Sequence, residues 1–263
     1  MKLLRVAIRL AAFAAVSAIF YLLLVAGRGL LALVGSPAWR WRKFVQINWG
    51  RWVARVIGMR VRVSGEPPRP PYFLVSNHLS YVDVIAFSAC LDCVFVSRGD
   101  VAHWPGIGRL ARGGGTIFLD RENALDIPRV IGLINRMLDQ GLGVLLFPEG
   151  TSSRGDSVWA FKPSLLEPAA RAAYPVSYAS ISYRTPPTEP PAHLVVCWWG
   201  DTTFTPHLIE LLKVRRFDCF ITFGDHAIQA DDRKVLAKSL WRAVNAQFVP
   251  VVEPDQSNQE KEN

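Results

Sequence analysis

From Gly58 onward the chain alternates short apolar runs with amphipathic stretches. Val61 and Val63 alternate with arginines, the period of a half-exposed strand. Apolar runs recur at Tyr72–Val75, Val94–Val96, Thr116–Leu119, Val144–Phe147, Val176–Tyr183, Leu194–Trp198 and Phe217–Phe223, each of strand length. Between some of them, Asp83–Ala89, Ala124–Asp139 and Asp231–Phe248 carry helical spacing. Strands alternating with helices predict an α/β domain on a mixed, largely parallel sheet flanked by helices. Such sheets place their sites at the C-terminal ends of strands. The segment Pro67-Pro68-Arg69-Pro70-Pro71 reads as a stiff connector, and no internal repeat is present.

Ahead of Gly58 the pattern is different. Leu10 to Gly27 is a run of 18 uncharged residues, about 27 Å long as a helix. A second apolar piece, Gly29–Val34, follows Arg28. This predicts a membrane-embedded helix, which either spans once or stays in the membrane without crossing. A secretory signal is the competing reading. The long run, the lack of a small-residue cleavage site and the arginine-rich continuation count against it. Pro37–Arg55 predicts an amphipathic, Trp- and Arg-rich helix on the membrane interface, with a surface helix packed on the body as the alternative. The expected organisation is membrane-seating helices over 1–56, an α/β domain over 57–252 and a polar, disordered tail over 253–263. Removing the first 56 residues is then expected to leave a folded body that works poorly on a bilayer substrate.

Charge sharpens this division. The net charge is +8, yet no acidic residue precedes Glu66, and the first 65 residues hold eleven Lys or Arg. The rest carries 19 basic residues against 22 acidic ones. The basic character therefore belongs to the N-terminal segment, where Trp39, Trp41, Trp49 and Trp52 accompany it. Arginine and tryptophan beside an apolar run suit an anionic lipid surface. Nucleic acid is not expected as a partner, since no zinc-finger spacing or RRM-like motif is present. The heavier basic cluster lies after the apolar run, which favours a body facing the cytosol from the cytoplasmic membrane. Cys90 and Cys93 form a C-x-x-C without a second pair, and Cys197 and Cys219 stand apart, so all four read as core thiols.

The candidate chemistry starts at Asn77-His78-Leu79-Ser80-Tyr81-Val82-Asp83, directly after the apolar run at Tyr72–Val75. A spacing of five does not put two side chains on one helical face. The pair works together if His78 sits in the turn after the strand and Asp83 on the first turn of the next helix. Ser80 is positioned to cap that helix, with Asp83 as the far member of a capping box. Asp83 then reaches back to hold the imidazole, which becomes a general base. By itself the pair fits a plainer reading equally well, with Asp83 complementing a helix N-terminus and His78 a satisfied loop residue.

Three further stretches fall at strand ends. Gly115-Thr116-Ile117-Phe118-Leu119-Asp120-Arg121 ends in a guanidinium suited to two phosphate oxygens, or paired in solvent with Asp120 or Glu122. Phe147-Pro148-Glu149-Gly150-Thr151-Ser152-Ser153-Arg154-Gly155 is a strand end, an acid and a Gly- and Ser-rich loop whose amides suit an anion; the alternative is a surface turn. Tyr174-Pro175-Val176-Ser177-Tyr178 opens a strand.

In this order and at these spacings, the four stretches resemble the glycerolipid acyltransferase family that contains the 1-acylglycerol-3-phosphate acyltransferases. The resemblance covers roughly Val61 to Tyr183. Its motifs match at His78 and Asp83, at Gly115, Phe118 and Arg121, at Phe147 to Thr151, and at Pro175. Two positions depart from the family pattern. Ser152 stands where an arginine usually follows, with Arg154 two positions on, and Arg98 replaces a lysine common between the first two motifs. Both bear on the acceptor's headgroup.

The resemblance implies acyl transfer from an acyl thioester, on acyl carrier protein or coenzyme A, to the free hydroxyl of a lysophospholipid. The leading acceptor is 1-acylglycerol-3-phosphate, giving phosphatidic acid; another lysolipid, such as lyso-ornithine lipid, is the alternative. His78 would be the base and Asp83 its orienting partner. Arg121, with Arg98 and Arg154, would hold the phosphate. Glu149, with Gly150 and Thr151, would bind the acceptor or order the loop. Gly115, Phe118 and Pro175 complete the expected substrate site. No enzyme nucleophile, cofactor or metal is implied, and His103, His193, His207 and His226 show no ligand spacing. Two readings from other classes are a soluble thioesterase and a membrane-seated interaction protein that keeps the fold without the chemistry.

Overall fold

The computed structural model describes residues 1–36, 38–104, 106–120 and 126–252. The expected tail over 253–263 and the candidate Arg121 lie outside them.

Two helices open the chain. Helix α1 runs unbroken from Lys2–Leu33 and α2 covers Trp39–Ile57. Gly58 ends α2 in the left-handed region at φ 83°, and a β-carbon there would meet the Arg215 carbonyl oxygen at 2.5 Å. The body then alternates strands and helices: β1 Met59–Ser64, β2 Tyr72–Ser76, α3 Val82–Ser88, β3 Cys93–Arg98, α4 Ile107–Gly114, β4 Ile117–Leu119, α5 Asp126–Asp139 and β5 Gly143–Leu146. It continues through α6 Glu167–Arg171, β6 Val176–Arg184, α7 Ala192–Val195, α8 Phe204–Lys213, β7 Phe217–Phe223 and α9 Arg233–Gln247. Short 3₁₀ turns at Gly99–His103 and Pro163–Leu166 precede α4 and α6.

Among the described residues the strands form one sheet in the order β1-β7-β6-β2-β5-β3-β4. The β6–β7 pair is antiparallel and the others are parallel. The mixed, mostly parallel sheet read from the pattern is thus the observed one. Both faces are covered, which is why the central strands read as continuous apolar runs. On one face Leu74, Leu145, Ile181 and Ile221 pack with Phe87 of α3 and Leu211 of α8. On the other, Phe73, Val75, Val94 and Val144 meet Val130, Ile134 and Leu138 of α5 and Leu236 and Leu240 of α9. Those α5 residues recur every four positions, the stripe a core-facing helix requires. Helix α9 starts on Asp232, whose carboxylate accepts the amides of Lys234 and Val235, both at 2.8 Å.

The N-terminal helices belong to the same core. Val6, Val53, Ala54 and Ile57 lie in one apolar cluster with Leu74, Phe87 and Phe217. Arg5 and Arg9 of α1 donate to the last carbonyls around α8: Arg5 to Lys213 at 2.5 Å, and Arg9 to Leu212 at 3.1 Å, to Val214, and to Arg215 at 2.8 Å. Cations at a helix C-terminus satisfy orphan carbonyls and complement the dipole. Further along α1, Trp49 Nε1 donates to Ser17 Oγ at 3.1 Å and Trp41 Nε1 to the Leu23 carbonyl at 2.9 Å. Helix α1 is long and apolar enough to cross a membrane, yet one of its faces follows the body from Arg5 to Leu23. Helix α2 packs on the body through Val45, Val53, Ala54 and Ile57 and turns Trp39, Phe44 and Trp52 outward. Removing the first 56 residues would take Val6, Val53 and Ala54 out of this cluster.

One expected strand is absent. Leu194–Trp198 is the end of α7 and the loop after it. Pro190 and Pro191 just before α7 preset a helical start. The loop then binds back, with the Trp198 amide on the Leu79 carbonyl at 2.8 Å. Helices α4 and α8 were not among the expected elements.

Candidate active site

His78 lies two residues beyond the end of β2, and Asp83 lies in the first turn of α3. Asp83 Oδ2 stands 2.7 Å from His78 Nδ1 and accepts the amides of Leu79 at 2.8 Å and Ser80 at 3.1 Å. Its Oδ1 accepts the Tyr183 hydroxyl at 2.5 Å. The side chain is fully buried. Backbone amides only donate, so the carboxylate acts as an acceptor for all four groups. Burial, with the Asp83 charge beside it, pushes the Tyr183 phenol well above its ordinary value and keeps it a donor. Asp83 thus does both things the sequence left open: it satisfies amides at the helix start and it holds the imidazole. The capping box is only half made. Ser80 Oγ is buried without a partner, and α3 starts with no side-chain cap.

With Nδ1 held by Asp83, the other ring nitrogen, Nε2, is the one left to act as a base. The imidazole stacks on Phe147, centroids 4.2 Å apart and planes at 15°. It lines a cavity of about 560 Å³. The polar lining includes His78, Arg98, Thr151 and Ser152 at the strand ends, with Arg42, Gln46, Ser88, Ser97 and Thr116 among the remaining wall residues. The apolar part includes Phe13, Phe20 and Leu24 of α1, Val45 and Trp49 of α2, Ile85 of α3 and Leu110 of α4. An elongated apolar chain with a polar end fits this division, and the volume lies within the range of ligand sites.

The loop after β5 braces the His78 turn. The His78 amide donates to Glu149 Oε1 at 3.1 Å, and the Ser153 amide to the His78 carbonyl at 3.0 Å. Ser152 Oγ donates to the Trp198 carbonyl. Glu149 is buried, and its Oε2 has no hydrogen-bond partner. Burial pushes its carboxyl up to about 8, against the pull of the His78 and Trp159 amides. Of its two expected roles, Glu149 is seen ordering the loop. Gly150 has φ 83°, and a β-carbon there would come within 2.8 Å of Lys162 Nζ. Thr151 is exposed and lines the cavity.

The remaining candidates divide. Arg98 ends β3, lines the cavity and is held by Asp100 through bonds of 2.9 and 2.5 Å. Arg154 instead lays its guanidinium over the Trp199 ring, 5.4 Å from its centroid, and is not among the cavity-lining residues. Gly115 caps α4 at φ 87° and Phe118 pairs with Ser97. Neither lines the cavity. Pro175 is at the wrong end of the sheet. Because β6 runs parallel to β2 with Val176 opposite Phe73, Pro175 lies at the N-terminal end of β2, while His78 follows its C-terminal end.

The sequence reading missed three contributors. Tyr183 reaches Asp83 from a strand 100 residues away, and nothing local signals that contact. Lys162 was visible only as a lone cation after an aromatic residue. Tyr81 lines the cavity and hydrogen-bonds to His207 Nδ1 at 3.0 Å, while His207 Nε2 meets the Cys197 carbonyl at 2.9 Å.

Comparison with known proteins bears on the family and the fold. The acyltransferase family model matches residues 60–182. The lyso-ornithine lipid O-acyltransferase of Rhizobium meliloti is 34% identical over 196 residues, 70% of this chain and 67% of that protein. The 1-acyl-sn-glycerol-3-phosphate acyltransferase of Neisseria meningitidis serogroup B is 26% identical over 220 residues, 81% of this chain and 83% of that protein. The crystal structure of the 1-acyl-sn-glycerophosphate acyltransferase PlsC from Thermotoga maritima shares the fold, with a TM-score of 0.61 over 94% of this chain and 97% of that one at 18% identity. A His–Asp pair at the mouth of a β-strand, in a chain with these relatives, identifies the protein as a member of the acyltransferase family that includes the 1-acyl-sn-glycerol-3-phosphate and lyso-ornithine lipid acyltransferases.

Proposed function

We propose that this protein transfers an acyl chain from a thioester, on acyl carrier protein or coenzyme A, to the free hydroxyl of a lysolipid in the membrane. The observation that carries this reading is the His78–Asp83 pair at 2.7 Å on the wall of a largely apolar cavity. His78 Nε2 takes the proton of the acceptor hydroxyl as its oxygen attacks the thioester carbonyl. Asp83 stabilises the imidazolium that forms. The tetrahedral intermediate collapses, the C–S bond breaks, and the thiolate recovers the proton from Nε2. The acceptor supplies the nucleophile, so the chain needs none of its own.

Two acceptors fit the family: lysophosphatidic acid and a lyso-ornithine lipid. Relatives at 34% and 32% identity over 70% and 78% of this chain carry the second name, while one at 34% over 45% of it carries the first. Membrane association is supported by the apolar face of α1, where Leu3, Leu4, Ile8, Leu22 and Leu30 are exposed. We take α1 to lie in the membrane without crossing it, because its other face is fastened to α8 and α2. A helix so fastened cannot traverse the hydrocarbon without carrying polar parts of the body with it. The body then sits on the cytosolic side of the cytoplasmic membrane, where acyl thioesters are available.

The test is acyl transfer by the full-length protein in membranes, with labelled acyl thioester and each lysolipid, beside His78→Ala. Loss of the base is expected to lower turnover by about 10²–10⁴-fold. Equal release of free fatty acid with and without acceptor would replace this reading with a thioesterase. No turnover with either acceptor, from folded protein, would favour a non-enzymatic role.

A further inference from the structure

Two backbone amides in the cavity wall have nothing to bind. In the loop after β5, the Gly150 amide is bonded to the Phe147 carbonyl at 3.2 Å and the Ser153 amide to the His78 carbonyl at 3.0 Å. Between them, the amides of Thr151 and Ser152 donate to no acceptor among the described residues. Both residues line the cavity, and Ser152 is buried. An N–H withdrawn from water without an acceptor is rare, and successive unpaired amides make a concavity for an anion. The loop is held in this conformation: Ser152 Oγ donates to the Trp198 carbonyl, and Gly150 stands at φ 83°, where only glycine is at ease.

A cation stands at the same loop. The Lys162 side chain lies across Gly150, where a β-carbon would come within 2.8 Å of Nζ, 3.1 Å of Cε and 3.2 Å of Cδ. Its backbone is fixed there by its amide on the Pro148 carbonyl at 2.8 Å. Lys162 forms no ion pair among the described residues. The loop that carries these donors also wraps the base. The His78 ring stacks on Phe147 at the start of the loop, and the His78 carbonyl is bound by Ser153, the residue after the two unpaired amides. Two amides and an ammonium are thus gathered beside the imidazole, in a chemistry that creates negative charge there.

We propose that the amides of Thr151 and Ser152, with the ammonium of Lys162, hold the oxyanion of the tetrahedral intermediate. The acceptor oxygen bonds to the thioester carbon, its proton passes to His78 Nε2, and the carbonyl π pair moves onto oxygen. The three donors meet that charge. As the carbonyl re-forms, the C–S bond breaks and the thiolate takes the proton back from Nε2. Donors already in place where charge develops lower the barrier without reorganising. This inference rests on the reading that His78 activates an acceptor hydroxyl, and it assigns the groups that stabilise the intermediate.

The test measures kcat and KM for full-length wild type and Lys162→Met in mixed micelles, with a labelled acyl thioester and with lysophosphatidic acid or lyso-ornithine lipid as acceptor. Methionine keeps an unbranched stem over Gly150 and removes only the charge. If it lowers the melting midpoint, Lys162→Gln takes its place. The variant is expected to lose about tenfold or more in kcat with both KM values unchanged, because the lost interaction is made only in the transition state. Slow hydrolysis of the thioester without acceptor should fall by the same factor, since that reaction passes through the same oxyanion with no headgroup present. A smaller change in kcat overturns the proposal. So does a loss confined to the KM of the lysolipid, which would give Lys162 to the headgroup and leave the acyltransferase reading intact. A wild type that transfers to neither lipid fails that reading itself and the proposal with it.

Discussion

Replacing Glu149 by glutamine should make this protein more stable at alkaline pH and leave it unchanged in acid. Glu149 is 3% exposed, its Oε1 bound by the His78 amide and its Oε2 unpartnered. Burial raises its carboxyl from 4.5 to about 8. A carboxyl raised by folding holds its proton in the native state after the unfolded chain has lost it. Stability therefore declines as pH climbs from 4.5 towards 8 and levels off above that. At about 1.4 kcal/mol per pH unit, the full interval amounts to about 5 kcal/mol. Glutamine keeps an oxygen for the same amides and never ionises, so it escapes this loss. In a chain of this size a change of about 5 kcal/mol moves the melting midpoint by on the order of 10 °C. The assay is thermal unfolding of wild type and Glu149→Gln in the same detergent, from pH 5 to pH 9. The midpoints should coincide near pH 5 and separate above neutrality, with the variant higher. A variant that melts lower at every pH would refute the reasoning, because Glu149 would then be an ionised, paired group.

Three further outcomes follow from the geometry. Asp83→Asn keeps an acceptor for His78 Nδ1 but removes the charge that stabilises the imidazolium. At an effective dielectric of about 20 that charge is worth about 4 kcal/mol, so kcat should fall about 10³-fold; a change confined to KM would contradict this. Gly143→Ala drives a β-carbon to 2.2 Å from the Tyr72 ring, which is buried and donates its hydroxyl to the Asp92 carbonyl. Overpacking there should cost about 1–3 kcal/mol, read as a lower melting midpoint, and an unchanged midpoint would show that the ring moves freely. A fragment of residues 57–263 should lack native near-ultraviolet circular dichroism, since Val53, Ala54 and Val6 no longer cover the core. Cooperative melting of that fragment would show that the body folds without its first two helices.

Much of this protein was legible in one dimension. The apolar runs from Tyr72 to Phe223 named most of the strands, because a parallel strand covered on both faces needs apolar residues at every position. His78 and Asp83 were legible because the contact that joins them is local: a strand end, a turn and one helical turn hold both groups. The apolar run of α1 was legible as a helix long enough to cross a membrane. What the sequence could not decide were the matters settled by distant segments meeting. Tyr183 completes Asp83 only because β6 lies beside β2. The same register sends Pro175 to the opposite end of the sheet from His78. Arg154 could have faced the acceptor, but Trp199 was close enough to stack under it. Leu194–Trp198 had a strand's composition, yet two prolines before α7 and the Leu79 carbonyl gave its backbone other partners. Hydrophobic period reports which face a residue turns inward, and motif spacing reports contacts within a turn. Strand order and register choose every longer contact, and those depend on the packing of the whole sheet.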